Sequence, residues 1–546
     1  MLHLLIFIFF NLFFLFLGRG VVLIISKFYD DIVFDDNQKV FDTPIFILYP
    51  LIGLFLMGNA SFIFNFFSKN NNFILKIFFL VVVLLNIFNK PVINKELRFF
   101  INFILIPSIL SISSITIGFA YDAGLYQLNN QYWIRESVIP FGLSNLHSRY
   151  GYSSIIEYIN ANVWYYDNVE LIHLTNLVFI SFFFSFISYH FLNSKNSYFK
   201  ISSIFIILFG ILDNFGFGGG RNGFIDIESA SKQDTPFSIV FLVTSLFVIY
   251  SITNKKISSI ELTLVLILSL FSVQLRIFGL TLAIILFYLI IKNGLLNKRY
   301  LYIYIPQILL GVLWIVKNIF LTSCLFYPIE TTCIKSLKWY TKNSAGLELK
   351  ELKSFHVSYE LGEPFSEWFL NWSQKEININ TFKNFVISLF IIFLIKILFI
   401  DRNFNLNVKH LNKFIYFYSF LILITWIVSS PGIRLGLGIF NFYIALIGVK
   451  FRSFRFKLLN NRYLKMFLLT SCIFLLPRFD NYIEITNNLY KYNQLKPPQI
   501  EYKKTEGYGV IPINGSQCWV KLDCIQTTYL VKRQFFYKYQ VFYIEE

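Results

Sequence analysis

The chain begins with MLHLLIFIFFNLFFLFLG, residues 1–18, an apolar run without a Lys or an Arg. No basic segment precedes it and no small-residue cleavage site follows it, so we predict a retained first membrane span and not a signal peptide. Apolar runs recur along the rest of the chain, and a bilayer core requires about 17 to 25 such residues per helix. The sequence therefore predicts an all-α polytopic membrane protein.

The composition of the chain also indicates a membrane protein. Of the 546 residues, 56% are hydrophobic and only 14% are charged, and the mean hydropathy is +0.59. A soluble domain cannot bury that much apolar surface, because single hydrophobic cores stop growing at about 250 to 300 residues. The net charge of +17 does not indicate a nucleic-acid partner, since the basic residues are dispersed among short loops.

The apolar runs predict about fourteen membrane spans. The segment 259–291 is ambiguous, because Arg276 interrupts it, so it is either a tight hairpin or one long broken helix. The predicted spans cover residues 2–26, 44–66, 73–88, 100–118, 168–192, 201–215, 235–252, 259–273, 277–291, 301–321, 385–400, 414–428, 435–450 and 466–479.

The distribution of basic residues predicts the orientation of these spans in the inner (plasma) membrane. Short loops rich in Lys and Arg, such as 89–98 and 450–465, are expected on the cytoplasmic side. The N-terminus and the longer loops 119–167, 216–234 and 322–384 then lie on the extracytoplasmic side. We call residues 119–167 the first long loop.

The chain is expected to divide into two parts. Residues 1–479 form the transmembrane domain, and residues 480–546 form an extracytoplasmic tail. The tail contains Pro-Pro, Gly-Tyr-Gly and Asn-Gly between runs of Val, Ile and Tyr, a pattern typical of short strands joined by turns. A small strand-rich unit is therefore predicted at the end of the chain.

The cysteines agree with the predicted orientation. Cys324 and Cys333 form one local pair, Cys518 and Cys524 form another, and both pairs fall on the predicted extracytoplasmic side. Disulfides persist in oxidising compartments, so a bond within each pair is predicted. The fifth cysteine, Cys472, lies inside an apolar run and is expected to be inert.

The first long loop is the segment most indicative of function. It opens with FAYDAGLYQLNNQYWIRES (119–137), continues with IPFGLSNLHSRYGYSS (139–154), and ends in IIEYINANVWYY (155–166), which predicts an amphipathic helix on the membrane surface. Asp122 follows the fourth span closely. A carboxylate at the water–bilayer boundary can act as a general base on an acceptor hydroxyl, or it can cap a helix.

These stretches resemble a group of bacterial membrane proteins that are similar to GT-C glycosyltransferases, which take sugars from polyprenyl-phosphate carriers. The group reads D-x-x-L-Y-H, then a Trp, then G-L-x-N-L-H-x-R-x-G-F-N-S. This chain departs at Gln127, where the group usually has His, and at Ser153, where it usually has Asn. It matches at Asp122, Leu125, Tyr126, Trp133, Gly142, Leu143, Asn145, Leu146, His147, Arg149, Gly151 and Ser154.

Later segments extend the resemblance over most of the chain. WIVKNIFLTSCLFYP (314–328) is similar to W-x-x-R-N-x-x-x-S-G-x-x-x-YP, with Lys317 in place of Arg. WIVSSPGIRLGLG (426–438) is similar to W-x-x-x-x-P-x-x-R-F-x-x-G. The tail resembles the C-W-x-x-x-x-x-C element of the group at Cys518 and Trp519.

The resemblance implies a GT-C-like bundle of about fourteen helices and a catalytic carboxylate in the first long loop. Asp122 is then the general base, and Asp234 in SKQDTP (231–236) is a second catalytic carboxylate unless it only caps a helix. Basic side chains bind the carrier phosphate. The implied substrate-binding residues are Tyr126, Gln127, Trp133, Asn145, His147, Arg149, Arg276, Lys317 and Arg434.

The implied function is transfer of a sugar from a polyprenyl-phosphate donor to a glycan, lipid or protein acceptor of the cell envelope. No cofactor or metal site is predicted, although some GT-C enzymes combine two acidic sites with a divalent cation. The alternatives are an O-antigen ligase or polymerase that uses polyprenyl-diphosphate glycans, and a lipid or solute transporter. Transporters usually have repeated halves, and this sequence has no obvious repeat.

Overall fold

The computed structural model describes residues 2–28, 35–36, 38–88, 96–114, 117–164, 168–193, 197–215, 231–253, 257–357, 364–399, 413–429, 431–450, 496–526 and 530–545. This part of the chain is mostly helical. The helices are α1 (Leu2–Phe28), α2 (Ile45–Asn65), α3 (Phe73–Phe88), α4 (Glu96–Phe100), α5 (Ile106–Ser113), α6 (Leu128–Glu136), α7 (Ile155–Val163), α8 (Ile172–Asn193), α9 (Ser197–Phe215), α10 (Asp234–Thr253), α11 (Ser259–Leu275), α12 (Thr281–Lys292), α13 (Leu301–Thr322), α14 (Ser344–Val357), α15 (Phe365–Ser373), α16 (Glu376–Phe399), α17 (Lys413–Ser429) and α18 (Ile433–Lys450).

Several of these helices have the length and apolarity of membrane spans. By both criteria, five of the described helices can cross a bilayer: His3–Lys27, Ile45–Asn65, Ile172–Asn193, Asp234–Thr253 and Leu301–Thr322. Shorter apolar helices lie between and after them along the chain, including α3, α11, α12 and α17. The fold is therefore that of a helical integral membrane protein.

The predicted spans coincide with helices wherever the structure describes them. The run 100–118 is a composite of α4, a π-helical turn (Ile101–Leu105) and α5, and the run 385–400 belongs to a helix that already begins at Glu376. The last predicted span, 466–479, and the loop residues 216–230 lie outside the described residues.

The break at Arg276 forms a sharp turn. α11 ends at Leu275, a 3-10 turn covers Ile277–Leu280, and α12 then packs against α10 and α17. A Cβ at Gly279 would lie 2.5 Å from the backbone of Ser272, so the turn folds tightly against the last turn of α11. The segment 259–291 therefore forms two helices that are joined by a sharp turn at Arg276 and that both pack on α10.

The first two helices pack closely because glycines face each other. A Cβ at Gly18 would lie 1.8 Å from the carbonyl oxygen of Tyr49, and a Cβ at Gly53 would lie 2.2 Å from that of Phe14. Small residues let the backbones of membrane helices approach and gain van der Waals contact where no hydrophobic force drives them together. α1 and α2 form the most extensive helix pair of the described structure.

The strands are confined to short antiparallel pairs. β1 (Lys39–Val40) pairs with β2 (Thr43–Pro44) ahead of α2. In the tail, β3 (Tyr502–Lys504) pairs with β4 (Val510–Pro512), and β5 (Val531–Phe536) pairs with β6 (Tyr539–Ile544). The tail thus contains two hairpins, as its turn-rich sequence predicted.

The tail packs on the first long loop. The backbone N–H of Phe141 donates to the carbonyl oxygen of Gln540 at 2.8 Å, and Phe542 donates to Phe141 at 2.8 Å. Helix α7, expected on the membrane surface, instead lies buried between α2 and α6. Its periodicity revealed one apolar face, but Glu157 and Asn160 on the remaining faces are also buried.

Candidate functional site

A cavity of about 450 Å³ lies between the first long loop and the ends of α10, α11, α13, α17 and α18. Its polar wall contains charged side chains from three separate segments of the chain. Its other wall is apolar and extends along α11 and α13 as far as Leu270 and Gly311. The charged lining residues are Asp122, Arg149, Lys232, Asp234 and Arg276.

Asp122 lies between two cations. It precedes a π-helical turn, Ala123–Gln127, which leads directly into α6. Lys232 Nζ donates to Asp122 Oδ2 at 2.6 Å, and Arg149 Nη1 lies 3.7 Å from Asp122 Oδ1. Its carboxylate does not hydrogen-bond to the turn that follows, so the helix-cap interpretation of Asp122 does not describe its contacts.

Asp234 and Arg276 form a second ion pair in the same cavity. Asp234 is the first residue of α10 and its side chain is almost fully buried. Arg276 follows the last residue of α11, and its backbone is extended, with φ −152° and ψ 141°. Its guanidinium donates to the Asp234 carboxylate. The pair joins the start of one helix to the end of another at the cavity wall.

Ser154 fixes the helix end that carries Arg276. Its hydroxyl donates to the carbonyl oxygen of Leu275 at 2.9 Å, one of the groups that a helix C-terminus leaves without an intrahelical partner. Ser154 is also the N-cap of α7, where Glu157 Oε2 accepts its backbone N–H at 3.0 Å. One residue of the first long loop thus connects α7 to the Arg276 turn.

Two buried ionisable residues, Lys317 and Glu157, lie behind this wall. Lys317 Nζ donates to the carbonyl oxygen of Ser153 at 3.0 Å and lies 3.3 Å from the centre of the Trp314 ring. Burial raises the pKa of Glu157 to about 7, and the Lys317 charge opposes that rise only in part. Lys317 does not line the cavity; it holds Ser153, which does.

Arg149 also approaches a buried carboxylate that the sequence analysis did not single out. Arg149 Nε lies 3.7 Å from Glu348 Oε1, and Glu348, on α14, is almost fully buried. Burial raises the pKa of Glu348. Because Arg149 lies between Asp122 and Glu348, it connects the cavity to helix α14.

Lys232 is the other functional candidate that sequence reasoning missed. It lies two residues before Asp234 in the same SKQDTP stretch. A lysine beside a span is usually interpreted as a topology signal or a solvated charge, so nothing local distinguished it. Its contact with Asp122 arises only when two distant loops fold together.

The residues that follow Asp122 place an aromatic group and an amide at the cavity. Tyr126 and Gln127 both line it. Burial raises the pKa of Tyr126 to about 12, and burial lowers that of the adjacent His147 to about 3, so both side chains are neutral near pH 7. Gln127 Oε1 is buried and accepts no hydrogen bond from the described residues.

Two further predicted residues, Trp133 and Asn145, lie away from the cavity lining. Trp133 is buried against Phe542 of the tail, with ring centres 5.5 Å apart. Asn145 donates to the carbonyl oxygens of Trp339 and Phe542, each at 3.0 Å, and joins the loop to the tail. Arg434 lies in the first turn of α18, and its side chain lies outside the described structure.

Both cysteine pairs are disulfide-bonded. Cys324 bonds to Cys333 in the loop after α13, and Cys518 bonds to Cys524 in the tail. Trp519, next to Cys518, donates its backbone N–H to the carbonyl oxygen of Gly124 at 2.8 Å. A Cβ at Gly124 would lie 2.7 Å from the Trp519 ring, so this contact requires glycine in the turn after Asp122.

The described residues contain no cluster of three or more His, Cys, Asp or Glu side chains suited to a metal ion. Asp122 and Asp234 are the carboxylates that line the cavity, and each is paired with a cation. The cations are suited to an anionic group, since Arg and Lys bind phosphates by charge-assisted hydrogen bonds.

The long apolar helices together with this charged cavity define an integral membrane protein with a candidate site at one end of its helical bundle. Residues 1–441 match the family described as Domain of unknown function (DUF8201), and the chain belongs to that family. Searches of curated proteins and of solved structures found no match.

Proposed function

We propose that this protein is a membrane glycosyltransferase that moves a sugar from a polyprenyl-phosphate donor to a glycan, lipid or protein acceptor of the cell envelope. In this proposal the chain is a GT-C-like bundle of about fourteen transmembrane helices, with the cavity on the extracytoplasmic face. The predicted resemblance in the first long loop motivates the reaction class.

The observation that carries the proposal is the two-sided character of the cavity. Arg149, Lys232 and Arg276 line its polar end, where a phosphate group requires cations. Its apolar end is lined by Leu270 and by Gly311, which lies about midway along α13. A polyprenyl phosphate has the same two parts, an anionic head and a long apolar chain.

In this proposal that chain leaves the cavity laterally, beside α13. Ile308 and Val312 of α13 and Ile284 of α12 are exposed large apolar side chains. Such side chains suit a lipid environment, so we place the isoprenoid in the bilayer beside them. The isoprenoid remains in the membrane while the head enters the cavity.

The proposed reaction is a direct displacement at the sugar carbon that bears the phosphate. A bond forms from the acceptor oxygen to that carbon, and the bond from the carbon to the phosphate oxygen breaks with its electron pair. Asp122 takes the proton of the acceptor hydroxyl. Lys232, Arg149 and Arg276 stabilise the charge that grows on the departing phosphate.

The ion pairs of Asp122 give the phosphate a further role. Lys232 approaches one carboxylate oxygen of Asp122 and Arg149 approaches the other. An incoming phosphate competes for the same two cations, and it thereby releases the carboxylate toward the acceptor hydroxyl. Gln127 offers its buried Oε1 to a hydroxyl of the donor or acceptor.

A ligase or polymerase that uses polyprenyl-diphosphate glycans is the second candidate. The observation that favours it is the pairing of both cavity carboxylates with cations, Asp122 with Lys232 and Asp234 with Arg276. Such an enzyme needs cations for two phosphates and does not depend on Asp122 as a base.

The test uses the purified full-length protein in proteoliposomes with radiolabelled donors. Polyprenyl-monophosphate sugars are compared with polyprenyl-diphosphate glycans, and vesicles without the protein serve as the control. Transfer from a monophosphate donor supports the proposal. Transfer only from diphosphate donors supports the second candidate, and movement of lipid or solute across the vesicle without any transfer overturns both in favour of a transporter.

A further inference from the structure

The turn of the β5–β6 hairpin carries a cluster of exposed aromatic residues. The register pairs Phe536 with Tyr539, which leaves Tyr537 and Lys538 as the two-residue turn. The exposed fractions are 63% for Phe535, 57% for Phe536 and 89% for Tyr537. Three adjacent aromatic side chains at the tip of a hairpin are costly to leave in water.

The hairpin tip is fixed beside the end of α2. Lys538 Nζ donates to the carbonyl oxygen of Phe67 at 2.8 Å, and the Tyr539 hydroxyl donates to that of Phe66 at 2.9 Å. These carbonyls follow the last turn of the helix, where backbone acceptors lack intrahelical partners and a cation is favoured by the helix dipole. The tip therefore has a defined place on the membrane domain.

The surface next to this attachment is the apolar face of α3. Phe67 is exposed after the end of α2, and Phe73 and Ile74 are exposed at the start of α3. Exposed apolar side chains continue along the helix through Leu80 to Ile87. This face has the composition of a lipid-facing helix surface, and the hairpin tip lies at its end.

We propose that Phe535, Phe536 and Tyr537 insert into the headgroup–acyl boundary of the same bilayer that surrounds α3, so that the tail is anchored to the membrane. Aromatic side chains are enriched at this depth because their rings are amphipathic.

The anchor also reaches the candidate site through the backbone. Strand β6 exchanges hydrogen bonds with Phe141 of the first long loop, and Asn145 donates to Phe542 of the same strand. The membrane-anchored tail is thus attached to the first long loop, the same loop that contains Asp122. The proposed anchor rests on the exposed surface of the hairpin tip and its attachment to α2, and it is independent of the proposed chemistry and of which face of the membrane carries the tail.

The test is a depth measurement on the full-length protein in lipid nanodiscs. A Cys472→Ser background removes the cysteine outside the two disulfides, and Tyr537→Cys receives a nitroxide label. Leu80→Cys on the exposed face of α3 is the lipid standard, and Asn514→Cys, at an exposed position just after β4 in the tail, is the aqueous standard. Collision rates of the label with oxygen and with a water-soluble nickel chelate report its depth.

The proposal predicts that the label at position 537 collides with oxygen more than with nickel, at a depth between those of the two standards. Collision with nickel equal to that at position 514 overturns the proposal. Protection from both reagents also overturns it, because a protein surface then covers the tip. Tyr537 has a left-handed backbone, with φ 53°, and Phe536 does not. Phe536→Cys therefore provides a second labelling position.

Discussion

Lys232 donates to Asp122 across 110 residues of sequence, with 2.6 Å between Nζ and Oδ2. This contact joins the segment before α10 to the π-helical turn of the first long loop. It brings the candidate base and a candidate phosphate ligand into one cavity with Arg149 and Arg276. The contact therefore sets the geometry on which the proposed chemistry depends.

Removing the Lys232 charge tests its role in binding the departing phosphate. We expect Lys232→Ala to lower the transfer rate by about 100-fold, as the loss of one charge-stabilising donor does in other enzymes. Lys232→Arg retains the charge and is expected to retain more of the rate. Transfer from a radiolabelled donor is measured at equal protein level, with Lys69→Ala at an exposed ion pair as the control. A Lys232→Ala rate close to wild type would remove the residue from the mechanism.

The Arg276–Asp234 pair has separable structural and chemical roles. Arg276→Ala removes the cation beside a buried carboxylate and is expected to cost about 3 to 5 kcal/mol in the free energy of unfolding. Adding Asp234→Asn removes the carboxylate charge, so the double variant is expected to regain stability. It is not expected to regain transfer, because the phosphate ligand is absent.

Thermal unfolding in detergent and transfer assays on the same preparations check both expectations. Full transfer by the double variant would show that Arg276 serves only to neutralise Asp234. A double variant as unstable as Arg276→Ala would instead show that the arginine is needed for packing.

Glu157 makes stability depend on pH. Its pKa is raised from 4.5 to about 7 by burial, so the folded protein binds this proton more tightly than the unfolded chain does. The resulting stabilisation is complete below pH 4.5 and is lost as the pH rises to about 7, by about 3 kcal/mol in all. We expect Glu157→Gln to flatten the dependence of the unfolding midpoint on pH across this window. If Glu157→Gln keeps the wild-type dependence of the unfolding midpoint on pH, other groups cause that dependence, and Glu348 is the first to examine.

The contact between Gly124 and Trp519 couples the tail to the turn after Asp122. A Cβ at position 124 would lie 2.7 Å from the Trp519 ring, so Gly124→Ala is expected to cost about 1 to 3 kcal/mol. The double variant Gly124→Ala/Trp519→Ala removes the clash and is expected to be more stable than Gly124→Ala alone. Gly118→Ala is the matched control, since no atom lies within 4 Å of its added Cβ. Additive effects in thermal unfolding would argue against direct contact.

The sequence predicted the helices well because a membrane span is a local property. An apolar run of sufficient length needs no partner to be recognised, and α1, α2, α8, α10 and α13 occur where such runs are found. Cys324 and Cys333 are also near neighbours in sequence. Their pairing could therefore be predicted without knowledge of the fold.

The site could be predicted only in part, because its contacts join distant segments. Asp122 and Arg276 were singled out as charges beside or within apolar runs, Arg149 and Asp234 were implied by the family resemblance, and all four line the cavity. The partnership of Lys232 with Asp122 has no local signal. Ser154 and Glu157 do form a visible S-x-x-E capping pattern. Nothing in that pattern predicts the bond from Ser154 to Leu275.

The position of helix α7 also differs from the one that the sequence predicted. The apolar residues of α7 predicted a helix with one buried face, and a surface position followed from its length and location. In the structure Ile155–Ala161 are all buried, since α7 packs against α2 and α6 at once. Periodicity alone does not reveal how many neighbours a helix has.

The most direct test of the central claim is sugar transfer by Asp122→Asn, which preserves the shape of the side chain and removes the base. Wild type, Asp122→Asn and the control Asp523→Asn on the tail are compared in membranes with radiolabelled polyprenyl-phosphate sugars at equal protein level. The account predicts transfer by the wild type and by Asp523→Asn, and its loss in Asp122→Asn. Transfer by Asp122→Asn at the wild-type rate would contradict the assignment of Asp122 as the base.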